Sequence, residues 1–160
     1  MPIAAMRPDA DIVRAAVGPA DGPKVITGIE ISFLRKPQQG GEMSVVDMSR
    51  PSQMRRITLD HLRLWQLHTL IDDAILLVSE LVTNAFLHGE GSAVGVRLYQ
   101  TPSYLCVEVT DGSPEVPRLR PVGPTEERGR GLFLVDALAH TWGVSHDGAT
   151  TWCTLTLGSN

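Results

Sequence analysis

Residues 70–89 read LIDDAILLVSELVTNAFLHG. The run is apolar nearly all round and carries no proline or internal glycine, so the pattern predicts a deeply buried helix over residues 70–88. Gly89 supplies the stop. Thr69 followed by Asp72 three residues on is a T-x-x-D capping pattern for its start. Glu80, Asn84 and His88 follow one another at intervals of four. Each step turns only about 40° around a helix axis, so all three share one side. Burying a carboxylate and an amide among Leu76, Leu77, Leu81 and Leu87 is costly unless both find partners, which places them on the wall of a cleft. The pair reads two ways. An amide oxygen can ligate Mg²⁺ while the carboxylate one turn away takes a proton from a nucleophile. Equally, a buried polar pair can do no more than set helix packing.

Outward from this helix the chain alternates between the two regular periods. Ser52 is read as the cap of an earlier helix running to about Trp65, with Met54, Ile57, Leu62 and Trp65 on its inner side. SVVDM, residues 44–48, reads as a short strand. Downstream, Val94, Val96 and Leu98 alternate, as do Leu105, Val107 and Val109, giving two strands joined at QTPS. Residues 111–128 hold Pro114, Pro117, Pro121 and Pro124 and no period, a stretch too long to be an idle loop. GRGLFLVDALAH, residues 129–140, reads as a helix started by glycines. Strands near TWGVSH and TTWCTLTL close the chain around an Asp147-Gly148 turn. Helix, helix, strand pair, loop, helix, hairpin predicts an α+β fold: a two-layer sandwich with helices on one face of a mainly antiparallel sheet.

Residues 1–44 differ. They hold five prolines and are read as a partly flexible extension, with one strand over VITGIEISFL (residues 25–34) that sets Ile29, Ile31 and Phe33 on one face. Residues 45–160 form the domain.

The chain is 160 residues long, 42% hydrophobic and 20% charged, with a net charge of -4. Those values fit one globular domain and give no reason to expect nucleic-acid binding. No apolar run suggests a membrane span or a secretory signal. Cys106 and Cys153 are the only cysteines and belong to no CxxC pair. The expectation is a soluble cytoplasmic protein with reduced thiols.

Two further segments carry candidate chemistry. Asp111 ends an alternating strand; its carboxylate can accept a hydrogen bond from an amino group such as adenine's, or it can simply begin a turn. Gly129 and Gly131 open a helix, where a bare backbone and a helix N-terminus suit phosphate and Arg128 and Arg130 add positive charge, or they do no more than start the helix.

Taken in order, E-L-V-T-N-A-F-L-H-G, V-T-D-G-S-P and G-R-G-L-F-L-V resemble the N box, the adenine-binding Asp box and the glycine box of the GHKL (Bergerat-fold) ATPases. With A-L-A-H-T-W-G and the closing strand, residues 45–158 look like the stand-alone anti-sigma-factor serine/threonine kinases of the actinobacterial type. The resemblance implies ATP and Mg²⁺ as cofactors. Asn84 would ligate the metal and Glu80 would be the general base. Asp111 and Gly112 would meet the adenine. Residues 112–128 would form a lid over the nucleotide, and Arg128, Gly129, Arg130, Gly131 and Leu132 would line its phosphates. His88 matches the motif without a catalytic role. Ser113 stands where the family commonly has glycine. The implied partners are a sigma factor and an antagonist protein phosphorylated on Ser or Thr, with a homodimer allowed. The alternative is a catalytically weak module that binds nucleotide or protein. A histidine kinase is disfavoured, because no helix pair with a phospho-acceptor His precedes the core. Topoisomerase and chaperone ATPases need more domains than this length allows.

Overall fold

The computed structural model describes residues 24–36, 42–112 and 127–158, with the side chains of 127–132 left out. The elements run β1 (Thr27–Leu34), α1 (Val45–Met48), α2 (Arg50–Leu64), a 3-10 turn (His68–Leu70), α3 (Ile71–His88), β2 (Ala93–Gln100), β3 (Tyr104–Thr110), α4 (Glu127–Leu138), β4 (Thr141–Val144) and β5 (Thr150–Thr156). The strands form one antiparallel sheet in the order β1-β2-β3-β5-β4. This is the predicted α+β sandwich.

Period-2 alternation builds the inner face. Ile29, Ile31 and Phe33 of β1 lie opposite Leu98, Val96 and Val94 of β2. These continue through Val107 and Val109 of β3 to Cys153 of β5 and Trp142 of β4. Against them α3 buries Ala74, Leu77, Val78, Leu81, Val82, Ala85 and Phe86. Each large apolar side chain so covered contributes about 1.5–3 kcal/mol. Phe33 meets Phe86 with ring centroids 6.2 Å apart, which docks β1 onto α3. The predicted inner side of α2 holds as well: Met54 and Leu62 are buried, and Ile57 and Trp65 pack at their rim.

Four local expectations are corrected. SVVDM is not a strand: Ser44 caps α1, its Oγ accepting from the Asp47 amide at 3.1 Å. The buried Asp47 carboxylate in turn accepts from the Lys36 amide at 3.1 Å, so the segment is held as a helical turn under the exit of β1. Ser52 lies inside α2, because Ser49 is the capping position and Pro51 takes the first turn, where a missing N–H costs nothing. Thr69 forms no capping box: it sits in the 3-10 turn, Leu70 occupies the cap and no side chain bonds there. Finally, α3 is not buried all round, since Leu76 and Leu87 are exposed, each by 38%.

Ends of other elements fall as expected or for identifiable reasons. At the close of α2, Gln66 adopts φ 60° while Leu67 donates to the Leu62 carbonyl at 2.8 Å, a Schellman ending built without glycine. The Asp147-Gly148 turn does join β4 to β5, with Gly148 at φ 74°. The helix expected from Gly129 begins at Glu127, so both glycines lie within α4 and not ahead of it.

Candidate functional site

Glu80 and Asn84 stand one turn apart on α3, about 6 Å along its axis, and both are half-buried. His88, one turn further on, is exposed. The neighbouring helix supports this stretch directly: Arg55 of α2 donates to the Ser79 hydroxyl at 2.8 Å, next to Glu80. The polar residues therefore occupy a flank of α3 while its opposite side is locked into the core.

The end of α3 forms a tight corner. Gly89 has an extended backbone, φ -74° and ψ 154°, so glycine is not needed there for its dihedral angles. Space demands it instead. A Cβ on Gly89 would lie 2.5 Å from the Ala85 carbonyl oxygen, 2.6 Å from Arg35 Nη2 and 2.7 Å from Asp111 Cβ. Asp111 packs against this bare backbone. Its amide donates to the Ala149 carbonyl and its carbonyl accepts from the Gly91 amide, both at 2.9 Å. Gly112 follows at φ 69°, a left-handed conformation that glycine adopts freely. Ala149 is itself held by the β4–β5 turn, where Asp147 accepts from its amide at 3.0 Å and from the Ser145 hydroxyl at 2.6 Å. Those two bonds hold the Asp147 carboxyl below its ordinary range.

Arg35 closes the corner from behind. Its guanidinium donates to the carbonyls of Ala85 at 2.6 Å, Phe86 at 3.3 Å and Gly89. These oxygens belong to the turn that ends α3, where helix carbonyls run out of intrahelical donors and the helix dipole favours a cation. Such a charge contributes about 0.3–1 kcal/mol, and up to about 2 when partly buried. Nothing in the sequence singled out Arg35; a lone arginine after an alternating strand carries no pattern. Gly91 was likewise missed, although the G-x-G that follows the helix was a usable signal.

The structure thus sets Asp111 against Gly89, at the end of the helix that carries Glu80 and Asn84. At the far end of the site, α4 is anchored by buried Val135 and by Trp142 Nε1, which donates to Asp136 at 3.0 Å. The side chains of Arg128, Arg130 and Leu132 lie outside the described residues, as do Ser113, most of the 112–128 segment expected to form a lid, and residues 1–23. A divalent cation is implied by the motif resemblance, and the donor chemistry fits one. Asn84 offers an amide oxygen as donor, while the described residues contain no cluster of three or more His, Cys, Asp or Glu that could hold a metal. A hard ion would complete its shell with phosphate oxygens and water, as Mg²⁺ does.

A sequence model of the histidine kinase-like ATPase domain matches residues 46–157. The chain belongs to this family, which lies within the GHKL superfamily. It is also 45% identical over 75 residues to an uncharacterized protein of Streptomyces coelicolor, an overlap of 44% of this chain and 71% of that relative. Family membership makes this an ATP-binding, kinase-like ATPase domain. No helix among the described residues is long and apolar enough to cross a membrane.

Proposed function

We propose that the protein is an ATP-dependent serine/threonine kinase of the partner-switching type. It would bind a sigma factor and phosphorylate an antagonist protein in the cytoplasm. The observation that carries this reading is the pairing of Glu80 with Asn84 on one half-buried flank of α3, in the helix that ends at the Gly89 corner where Asp111 packs. Asp111 would accept from the adenine amino group and so disfavour guanine, which presents a carbonyl there. Asn84 would hold Mg²⁺ through its amide oxygen, and the bound ion would neutralise phosphate charge. Glu80 would accept the proton of the antagonist's hydroxyl as that oxygen bonds to the γ-phosphorus and ADP leaves. Catalysis of this kind is mostly positioning and charge neutralisation. A site that only held nucleotide would have no use for a base at Glu80.

The test is transfer of label from γ-labelled ATP to candidate antagonists, with ATP binding followed by calorimetry. Glu80→Gln should keep ATP binding and lose about 10²–10⁴-fold in transfer. Asn84→Ala should lose Mg²⁺-dependent affinity. ATP binding by the wild type without transfer to any antagonist would reduce the protein to a nucleotide-binding regulatory module.

A further inference from the structure

We propose that Arg35 is a positioning residue of the nucleotide site, setting the Asp111 corner against the turn of α3 that carries Asn84. The inference rests on the ATP-binding reading above. Arg35 lies outside the 46–157 span of the family match, one residue past the end of β1, which precedes it. Its own backbone is pinned: the amide donates to the Ser92 carbonyl at 2.9 Å, continuing the β1–β2 ladder past Leu34 and Ala93.

From that anchor the guanidinium reaches two places at once. Its fork takes the carbonyls of Ala85 and Phe86, immediately after Asn84, and that of Gly89 at the corner. The cation also sits 5.8 Å from the centre of the Phe86 ring. The point where a Gly89 side chain would begin lies 2.6 Å from Arg35 Nη2 and 2.7 Å from Asp111 Cβ, so guanidinium, corner and Asp111 converge with no side chain between them. A planar multi-donor group can hold several carbonyls in one arrangement, whereas a lysine ammonium is a single mobile point.

Losing this clamp frees the Gly89 corner from the last turn of α3. Asp111 then shifts relative to Asn84, and the two ends of a bound nucleotide no longer fit together. Base discrimination suffers most, because it depends on one hydrogen bond made at one position, while the triphosphate can adjust.

The experiment uses the full chain and calorimetric titration with Mg·ATP and Mg·GTP, at a temperature where circular dichroism shows each variant folded. Arg35→Ala should bind ATP about tenfold more weakly, with a smaller loss for GTP, so that the preference for ATP falls. Arg35→Lys should lie between it and the wild type. Phe33→Leu, which loosens β1 from α3 without touching those carbonyls, should lower the melting temperature and keep the ATP-to-GTP ratio. A folded Arg35→Ala with wild-type affinity and ratio overturns the proposal, as does a Phe33→Leu that shifts the ratio equally. If Arg35→Ala fails to fold, an unchanged ratio in Arg35→Lys overturns it. Wild-type protein that binds no ATP would strike down the proposed function and this inference together; equal binding by wild type and Arg35→Ala strikes down this inference alone.

Discussion

The two faces of the sheet are chemically unlike, although the centre of each is buried. The inner face, under the helices, is built from Val94, Val96, Leu98, Val107 and Val109. On the outer face Tyr99, Cys106, Glu108 and Thr154 are each no more than 5% exposed. There Glu108 accepts from Arg97 Nη1 at 2.9 Å and from the Tyr99 hydroxyl at 3.2 Å. Strand register makes this possible, since Arg97 lies directly opposite Glu108 and Tyr99 opposite Cys106. The inner face needs only shape and area. The outer face needs specific partners, because a buried carboxylate without them is costly.

The largest effect should come from the inner face. Leu98→Ala, at a site fully shielded from solvent, should cost about 2–5 kcal/mol in urea denaturation. On the outer face, Glu108→Ala removes the carboxylate that accepts from the Tyr99 hydroxyl and the nearer of the two acidic partners of Arg97, costing about 1–3 kcal/mol. A loss as large as that of Leu98→Ala would erase the distinction between the faces.

A smaller effect concerns pH. Burial pushes the Glu108 carboxyl above its ordinary value of 4.5, against the opposing pull of Arg97 and the Tyr99 hydrogen bond. The folded protein therefore holds this proton more tightly than the unfolded chain. The resulting stabilisation is fully present below the ordinary value and is lost as pH rises through the raised one. Glu108→Gln should flatten that part of the decline in melting temperature from pH 4 toward neutrality. An unchanged slope would place the titration elsewhere.

The smallest expected difference is none at all. Cys106 lies on the outer face and Cys153 on the inner, both fully buried. Burial pushes the Cys106 thiol up to about 12 and raises Cys153 also. Both should resist a thiol reagent at pH 8 in the native protein and react together on unfolding. Rapid labelling of Cys106 alone would mean that the outer face opens separately.

Periodicity made the inner face legible. Alternation located β2 and β3, and the largely apolar run ending at Gly89 located α3 to within a residue. It failed where a local hydrogen bond outweighed the pattern: Val45 and Val46 look like strand, but the Ser44 hydroxyl caps a turn there. Glu80, Asn84 and Asp111 stand out as candidates because they sit in motifs of fixed order. The Arg35 contact with Ala85 spans 50 residues and joins a side chain to a carbonyl, which leaves no trace in either local sequence. The Arg97–Glu108 pair was hidden for a related reason, since only the register of β2 on β3 puts the two side by side.

The position of β1 bears on how the domain can be trimmed. A fragment cut to residues 46–157, the span of the family match, would lack the strand that pairs with all eight residues of β2. It would leave the backbone edge of β2 bare and uncover the apolar row that Ile29, Ile31 and Phe33 now flank. Edges of that length and character recruit other chains, and copies of such a fragment would stick to one another. A well-behaved fragment has to begin upstream of Thr27.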